Sequence, residues 1–234
     1  LVARRADRLD ALAGRLRAEH GIAVTTIPLD LAAADAAATL RADTDRLGLD
    51  VHTLVNNAGF ATHGRFEVAD PDRIRSEIAL NVATLVALSR AYIPDLVRHG
   101  DGALVNIAST AAYQPVPSMA VYSATKAFVL SFTEALWHET RASGLRVLAL
   151  SPGATRTEFF DVVGSAGGEP TGELLAEAGA RPGDQGDSTA VVDRGHDSSK
   201  VRRGARRKMD ERVFTDVALH LYTDLSSSSE REAS

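Results

Sequence analysis

Tyr122 and Lys126, in the run Tyr122-Ser123-Ala124-Thr125-Lys126, and Ser109 thirteen residues upstream are the side chains whose types and spacing could do chemistry. On a helix, residues i and i+4 share a face within one turn, so the phenol and the ammonium would stand side by side. A cation there favours the phenolate and lowers the phenol pKa from its reference of about 10 toward working pH. Such a tyrosine can act as a general acid or base. Ser109 could supply a hydroxyl to a carbonyl or alcohol oxygen. Taken alone, the same spacing is also produced by a core aromatic followed by a lysine snorkelling over apolar surface. The context decides between the two.

These residues must be held by the elements around them. Ser109 follows Ala103-Leu104-Val105-Asn106-Ile107, which reads as a short buried strand, and Tyr122 to His138 reads as a helix. Upstream, Leu1-Val2-Ala3 reads as a strand already ending at Arg4-Arg5. A helix carrying Leu9, Leu12 and Leu16 follows, with a stop at Gly21. Ala23 to Leu29 is expected as a strand, Asp35 to Leu47 as a helix, and Val51 to Val55 as a buried strand running into Asn56-Asn57-Ala58-Gly59. Pro71 to Ala91 has helical spacing, and Arg146 to Leu150 is a strand before Ser151-Pro152-Gly153. Strands alternating with helices imply crossover units and a parallel sheet covered on both faces. In such sheets ligands sit beyond the carboxyl ends of the strands, where most of the polar clusters fall.

Composition narrows the function classes. The chain has 234 residues, is 44% hydrophobic and carries a formal charge of −5, the profile of a globular domain and not of a nucleic-acid or anionic-membrane binder. The absence of cysteine excludes disulfides, thiolate nucleophiles and cysteine-built zinc sites. No signal-peptide pattern opens the sequence, and a reducing cytoplasm is the expected compartment. Ala103 to Thr125, the longest uncharged stretch, is interrupted by prolines and hydroxyl residues and would span a membrane poorly.

Five motifs in register carry a resemblance. They are Asn56-Asn57-Ala58-Gly59 after a strand, Asn81 in Leu80-Asn81-Val82, Asn106-Ile107-Ala108-Ser109, Tyr122-x-x-x-Lys126, and Pro152-Gly153 with Thr157 four residues on. In this order and spacing they resemble the short-chain dehydrogenase/reductase family, over roughly residues 1 to 164. The resemblance implies a Rossmann-like, doubly wound α/β fold and hydride transfer between a nicotinamide and a carbonyl or secondary-alcohol carbon. It implies Tyr122 as proton donor and acceptor, Ser109 as the group that orients the substrate oxygen, and Lys126 as the group that lowers the tyrosine pKa and holds the nicotinamide ribose. Asn81 resembles the helix asparagine whose backbone holds a relay water. The substrate would be a small-molecule carbonyl or alcohol, and the chain is expected as a homodimer or homotetramer. No metal is implied, and no histidine stands in a metal-ligand spacing such as H-E-x-x-H. His52, His63 and His138 read as ordinary helix or loop residues.

The same resemblance implies the cofactor contacts. Asp30 is similar to the family's acidic residue at adenine, although an aspartate starting a helix explains it equally well. Asn57, Ala58 and Gly59 are similar to the segment beside the adenosine. Pro152, Gly153 and Thr157 resemble contacts on the nicotinamide and pyrophosphate side. Arg4 follows the strand after which NAD-preferring members carry an acid, and Ala3 stands where that acid would be. A guanidinium without that carboxylate suits a 2′-phosphate, so NADP is expected over NAD. Arg4 and Arg5 are also what surface charge flanking a helix would look like.

The sequence departs from the family pattern in two places. None of its eighteen glycines forms the G-x-x-x-G-x-G phosphate loop. The chain is therefore expected to be an N-terminally truncated member at residues 1–180, lacking the central first strand and leaving two unpaired edges in the sheet. Residues 181–234 are expected as a polar, poorly ordered or divergent tail, although a partner-binding extension is open. Its run Lys200 to Lys208 holds six basic residues in nine, but acidic residues balance it, and an RNA-binding reading rests on that run alone. A catalytically silent remnant that keeps the fold and its subunit contacts is the alternative to the enzyme.

Overall fold

Leu9, Leu12, Ala13 and Leu16 recur at helical spacing, and that stripe is the buried face of α1 (Ala6–His20). The structure, a computed structural model, describes residues 1–153 and 190–191. Gly21 ends α1 in the left-handed conformation at φ 62°, as the sequence indicates. β1 (Val2–Ala3) pairs in parallel with β2 (Ile27–Pro28). The strand expected from Ala23 is thus reduced to two residues, the length over which it meets β1. α2 (Ala36–Arg46) follows.

β3 (Thr53–Asn56), β4 (Ala103–Ile107) and β5 (Arg146–Ser151) form a parallel ladder, in which Asn56 sits opposite Asn106 and Asn106 opposite Ala149. β6 (Ala190–Val191) adds to β5 antiparallel, a strand that the polar composition of its region had not suggested. The expected doubly wound α/β arrangement is present, but its sheet is in two pieces. Among the described residues, β1 and β3 each pair on one side only. What joins the pieces is a common apolar layer of Ile27, Leu31, Leu40, Leu88 and Tyr92, with Val2 and Leu54 packed against it.

The helix expected over Pro71 to Ala91 runs on to His99. α3 (Pro71–Ile78) passes through a π-helical turn at Ala79–Thr84 into α4 (Leu85–His99). Pro94 costs α4 one backbone hydrogen bond, and the burial of Tyr92 and Leu96 on either side outweighs it. By length and composition this 29-residue helix could cross a membrane. Here Leu85, Leu88, Tyr92 and Leu96 join core clusters, so the same apolarity serves packing on the sheet. α5 (Ala120–Thr140) packs against β4 and β5.

A buried polar chain crosses the sheet. Asn56 donates through Nδ2 to Ser89 Oγ of α4 at 3.1 Å and to Asn106 Oδ1 at 2.9 Å. Asn106 donates in turn to Thr133 Oγ of α5 at 3.0 Å. Each amide ties a helix to the strand beneath it, which fixes the register of β3 against β4. Replacing Asn106 by Ala removes one of the two acceptors of the buried Asn56 amide and the donor to the Thr133 hydroxyl. The expected loss is about 2–3 kcal/mol in denaturant unfolding, with the m-value unchanged.

Candidate active site

Helical spacing places Tyr122 and Lys126 on one face of α5, and burial of that face takes both out of water, at 5% and 6% exposure. The Lys126 Nζ lies 5.6 Å from the centre of the Tyr122 ring. It donates to the carbonyl of Ile107, the last residue of β4, at 2.8 Å. Burial pulls the lysine down from 10.5 to about 8, while the charge of Glu77 opposes that fall. At neutral pH the ammonium therefore persists, close to the pH at which it would be lost.

Ser109 follows β4 with an extended backbone, and its Oγ accepts from the Ala111 amide at 3.2 Å, capping a short 3-10 turn over Thr110–Ala112. Ala111 packs against the cluster of Ala61, Val116, Met119 and Tyr122. The fold thus brings the Ser109 turn and the tyrosine to one rim, at the carboxyl end of β4. Pro152 joins them, because its carbonyl accepts from Thr110 N at 3.0 Å, and Gly153 follows it. Tyr113 Oη stands 3.3 Å from Ser151 Oγ on the same rim.

Asn81 lies within the π-helical turn and is 2% exposed. Its side chain grips Phe60 at both backbone atoms, donating to the carbonyl at 2.9 Å and accepting from the amide at 3.1 Å. Its Nδ2 also reaches Thr125 Oγ1 at 3.2 Å. The asparagine therefore clamps the loop after β3 to α5. Arg73 holds the same loop, donating to the Ala61 carbonyl at 3.1 Å with its guanidinium over the Phe60 ring. A Cβ on Gly59 would fall 2.9 Å from Asn81 Oδ1 and 3.7 Å from Lys126 Nζ, so only glycine allows this approach. Asn57 and Ala58 lead into that glycine from β3.

Two of the expected cofactor residues stand on the other piece of the sheet. Arg4 and Asp30 are exposed and follow β1 and β2. Asp30 Oδ1 accepts from the Ala32 amide at 3.0 Å and so shapes a turn in the loop after β2; it does not start a helix, since α2 begins at Ala36 with Asp35 as its N-cap. Thr157 lies outside the described residues.

Glu77 is the residue that sequence reasoning passed over. It is fully buried, and neither carboxylate oxygen forms a well-aligned hydrogen bond. Burial pushes its carboxyl above the ordinary range, against the opposing pull of Thr62, Arg73 and Lys126. A signal was present: Glu77 is four residues before Asn81, hence on the face that enters the site. Because the folded pKa is raised, the folded state holds the proton longer than the unfolded chain. Stability therefore falls as pH rises from about 4.5 toward the raised value. Glu77→Gln should abolish that fall, so its stability relative to wild type grows with pH across this window, measured by urea unfolding at a series of pH values.

The geometry has known counterparts. The family model described as short chain dehydrogenase matches residues 1–166. A short-chain dehydrogenase from Sphingobium yanoikuyae, solved with NADPH, is 42% identical, with a TM-score of 0.64 over 70% of this chain and 63% of that one. The bulky-bulky ketone specific alcohol dehydrogenase from Comamonas testosteroni is 34% identical, with a TM-score of 0.62 over 66% of this chain and 62% of that one. Sulfoacetaldehyde reductase of Chromohalobacter salexigens is 36% identical over 161 residues, 68% of this chain and 63% of the relative. Very-long-chain 3-oxoacyl-CoA reductase of Homo sapiens is 30% identical over 166 residues, 69% of this chain and 53% of the relative. The chain thus spans between about half and two thirds of the length of these proteins. On the family-model match over residues 1–166, the chain belongs to the short-chain dehydrogenase/reductase family.

Proposed function

We propose that this chain carries the catalytic residues of an NADP(H)-dependent oxidoreductase that interconverts a carbonyl and a secondary alcohol. The observation that carries the reading is the buried ammonium of Lys126 beside the Tyr122 ring, on the rim shared with the Ser109 turn. A proton passes between Tyr122 Oη and the substrate oxygen, and the lysine charge stabilises the phenolate left behind. Ser109 orients that oxygen through its hydroxyl. Asn81 and Gly59 keep the loop after β3 against α5, so the site closes on a fixed floor.

The nicotinamide end of a dinucleotide fits this floor, since the backbone at Gly59 has no Cβ to intrude and the Lys126 ammonium faces it. Asn57, Ala58, Gly59, Lys126, Pro152 and Gly153 would hold it, and when bound it supplies or accepts the hydride. Arg4 after β1, with Ala3 before it, supports the 2′-phosphate form. Two of the structural neighbours are described as complexes with NADPH. An apolar groove formed by Ile78, Val82, Val121, Ala124 and Phe128 lies on the outer side of α3 and α5. It supports pairing of subunits through these helices, the pairing the family resemblance implies.

A second reading, a chain that keeps the fold but not the cofactor, is favoured by the missing G-x-x-x-G-x-G loop and by the one-sided pairing of β1 and β3. Thermal unfolding with and without NADPH separates the two, because a ligand that binds the folded state raises Tm and one that does not leaves it in place. Under the enzyme reading, NADPH oxidation with a panel of ketones and aldehydes falls roughly 10²–10⁴-fold in Tyr122→Phe, with the fold retained. The wild-type rate of carbonyl reduction should decline as pH rises through about 8, where Lys126 loses its proton. A flat profile across that range would remove the lysine from the mechanism.

A further inference from the structure

At the amino ends of β3 and β4, on the rim opposite Tyr122, three side chains meet that the redox chemistry does not use. His99 closes α4, and Asp50 and His52 lie just before β3, where the His52 carbonyl accepts from Ala103 N of β4 at 2.9 Å. The two imidazoles stack with ring centres 3.7 Å apart and planes 18° from parallel. His99 Nε2 stands 2.9 Å from Asp50 Oδ1, and His52 Nδ1 stands 3.9 Å from Oδ2 of the same carboxylate. One ligand atom from each residue lies within 4.8 Å of the others.

The geometry points to a divalent transition-metal site, of the Zn²⁺ class, formed by Asp50, His52 and His99. Two imidazoles and one carboxylate are a donor set for a borderline ion, in preference to the all-oxygen set that Mg²⁺ or Ca²⁺ takes. His99 Nε2 is buried and aimed at the carboxylate, yet the contact is too poorly aligned to count as a hydrogen bond. A metal accepts a lone pair from that nitrogen where a proton is poorly placed. The site also faces the last turn of α4, where the free carbonyls favour a positive charge.

Tetrahedral ligation at about 2.0–2.1 Å requires the donors to close to roughly 3.3 Å from one another. Asp50 and His52, with side chains 64% and 55% exposed, can make that movement by side-chain rotation, His52 exchanging the 3.3 Å contact of its Nδ1 with the Asp50 carbonyl and its stack on His99 for the ion. Their exposure also leaves a fourth position for water. Bound there, the ion would pin the end of α4 to the start of β3, far from the proton-transfer chemistry.

Zinc titrated calorimetrically into the chelator-treated full chain should bind at one equivalent and raise Tm. His52→Ala and His99→Ala should each weaken binding at least about tenfold, whereas His138→Ala binds as wild type. Cobalt(II) should give the visible absorption of a tetrahedral nitrogen and oxygen site, lost in the same two variants. His52→Ala guards against a folding artefact, because its ring is largely exposed. Absence of a one-equivalent phase, or equal affinity in His52→Ala, would overturn the site. Neither measurement needs nicotinamide or turnover, so its failure is independent of the hydride-transfer reading.

Discussion

A lysine ammonium taken out of water, held by one backbone carbonyl and set beside a tyrosine ring, is the interaction on which the rest of the active rim depends. Desolvation draws Lys126 down to about 8, still above neutral pH, and the charge that remains acts with less screening than bulk water would impose. The Ile107 carbonyl that accepts from it belongs to the end of β4, two residues before Ser109. One hydrogen bond therefore ties the helix bearing the Tyr122 phenol to the strand that leads into Ser109, and sets the spacing between the two hydroxyl-bearing segments through the sheet.

Around that pair the structure spends its buried polar groups on position. The Asn81 amide bridges the loop after β3 to α5, and Gly59 is the residue that lets the loop come close enough. The π-helical turn that carries Asn81 is the kind of local irregularity found at functional sites. Glu77, one turn earlier, introduces a second buried charge whose field opposes the desolvation of Lys126. Beneath them, the chain of Ser89, Asn56, Asn106 and Thr133 holds β3 and β4 in register and so aligns the loops that leave their carboxyl ends.

The opposite rim is organised differently. There the end of α4 and the turn before β5 come together so closely that a Cβ on Gly144, at φ 80°, would stand 2.2 Å from the Gly100 carbonyl oxygen. Asp50, His52 and His99 sit beside this crossing. The two rims share the strands between them, while the β1 and β2 piece joins the rest through the apolar layer around Leu88 and Tyr92 and through the Thr84 hydroxyl, which donates to the Leu31 carbonyl just after β2.

The sequence by itself determined what depends on spacing within one element. The Tyr122 and Lys126 pairing, the stripe of α1, the alternation of strands and helices, and the order of the motifs are all set by the 3.6-residue period and by local turn chemistry, and each is recognisable along the chain. The family and the fold followed from them. Tertiary structure alone decided whatever joins distant elements: the burial of Glu77, the pairing of Asn56 with Asn106, the continuation of α4 through Pro94, and the meeting of His52 with His99. Strand register, helix packing and the free energy of burying whole faces are properties of the assembled chain. No local pattern encodes which polar side chain will find a partner across the sheet.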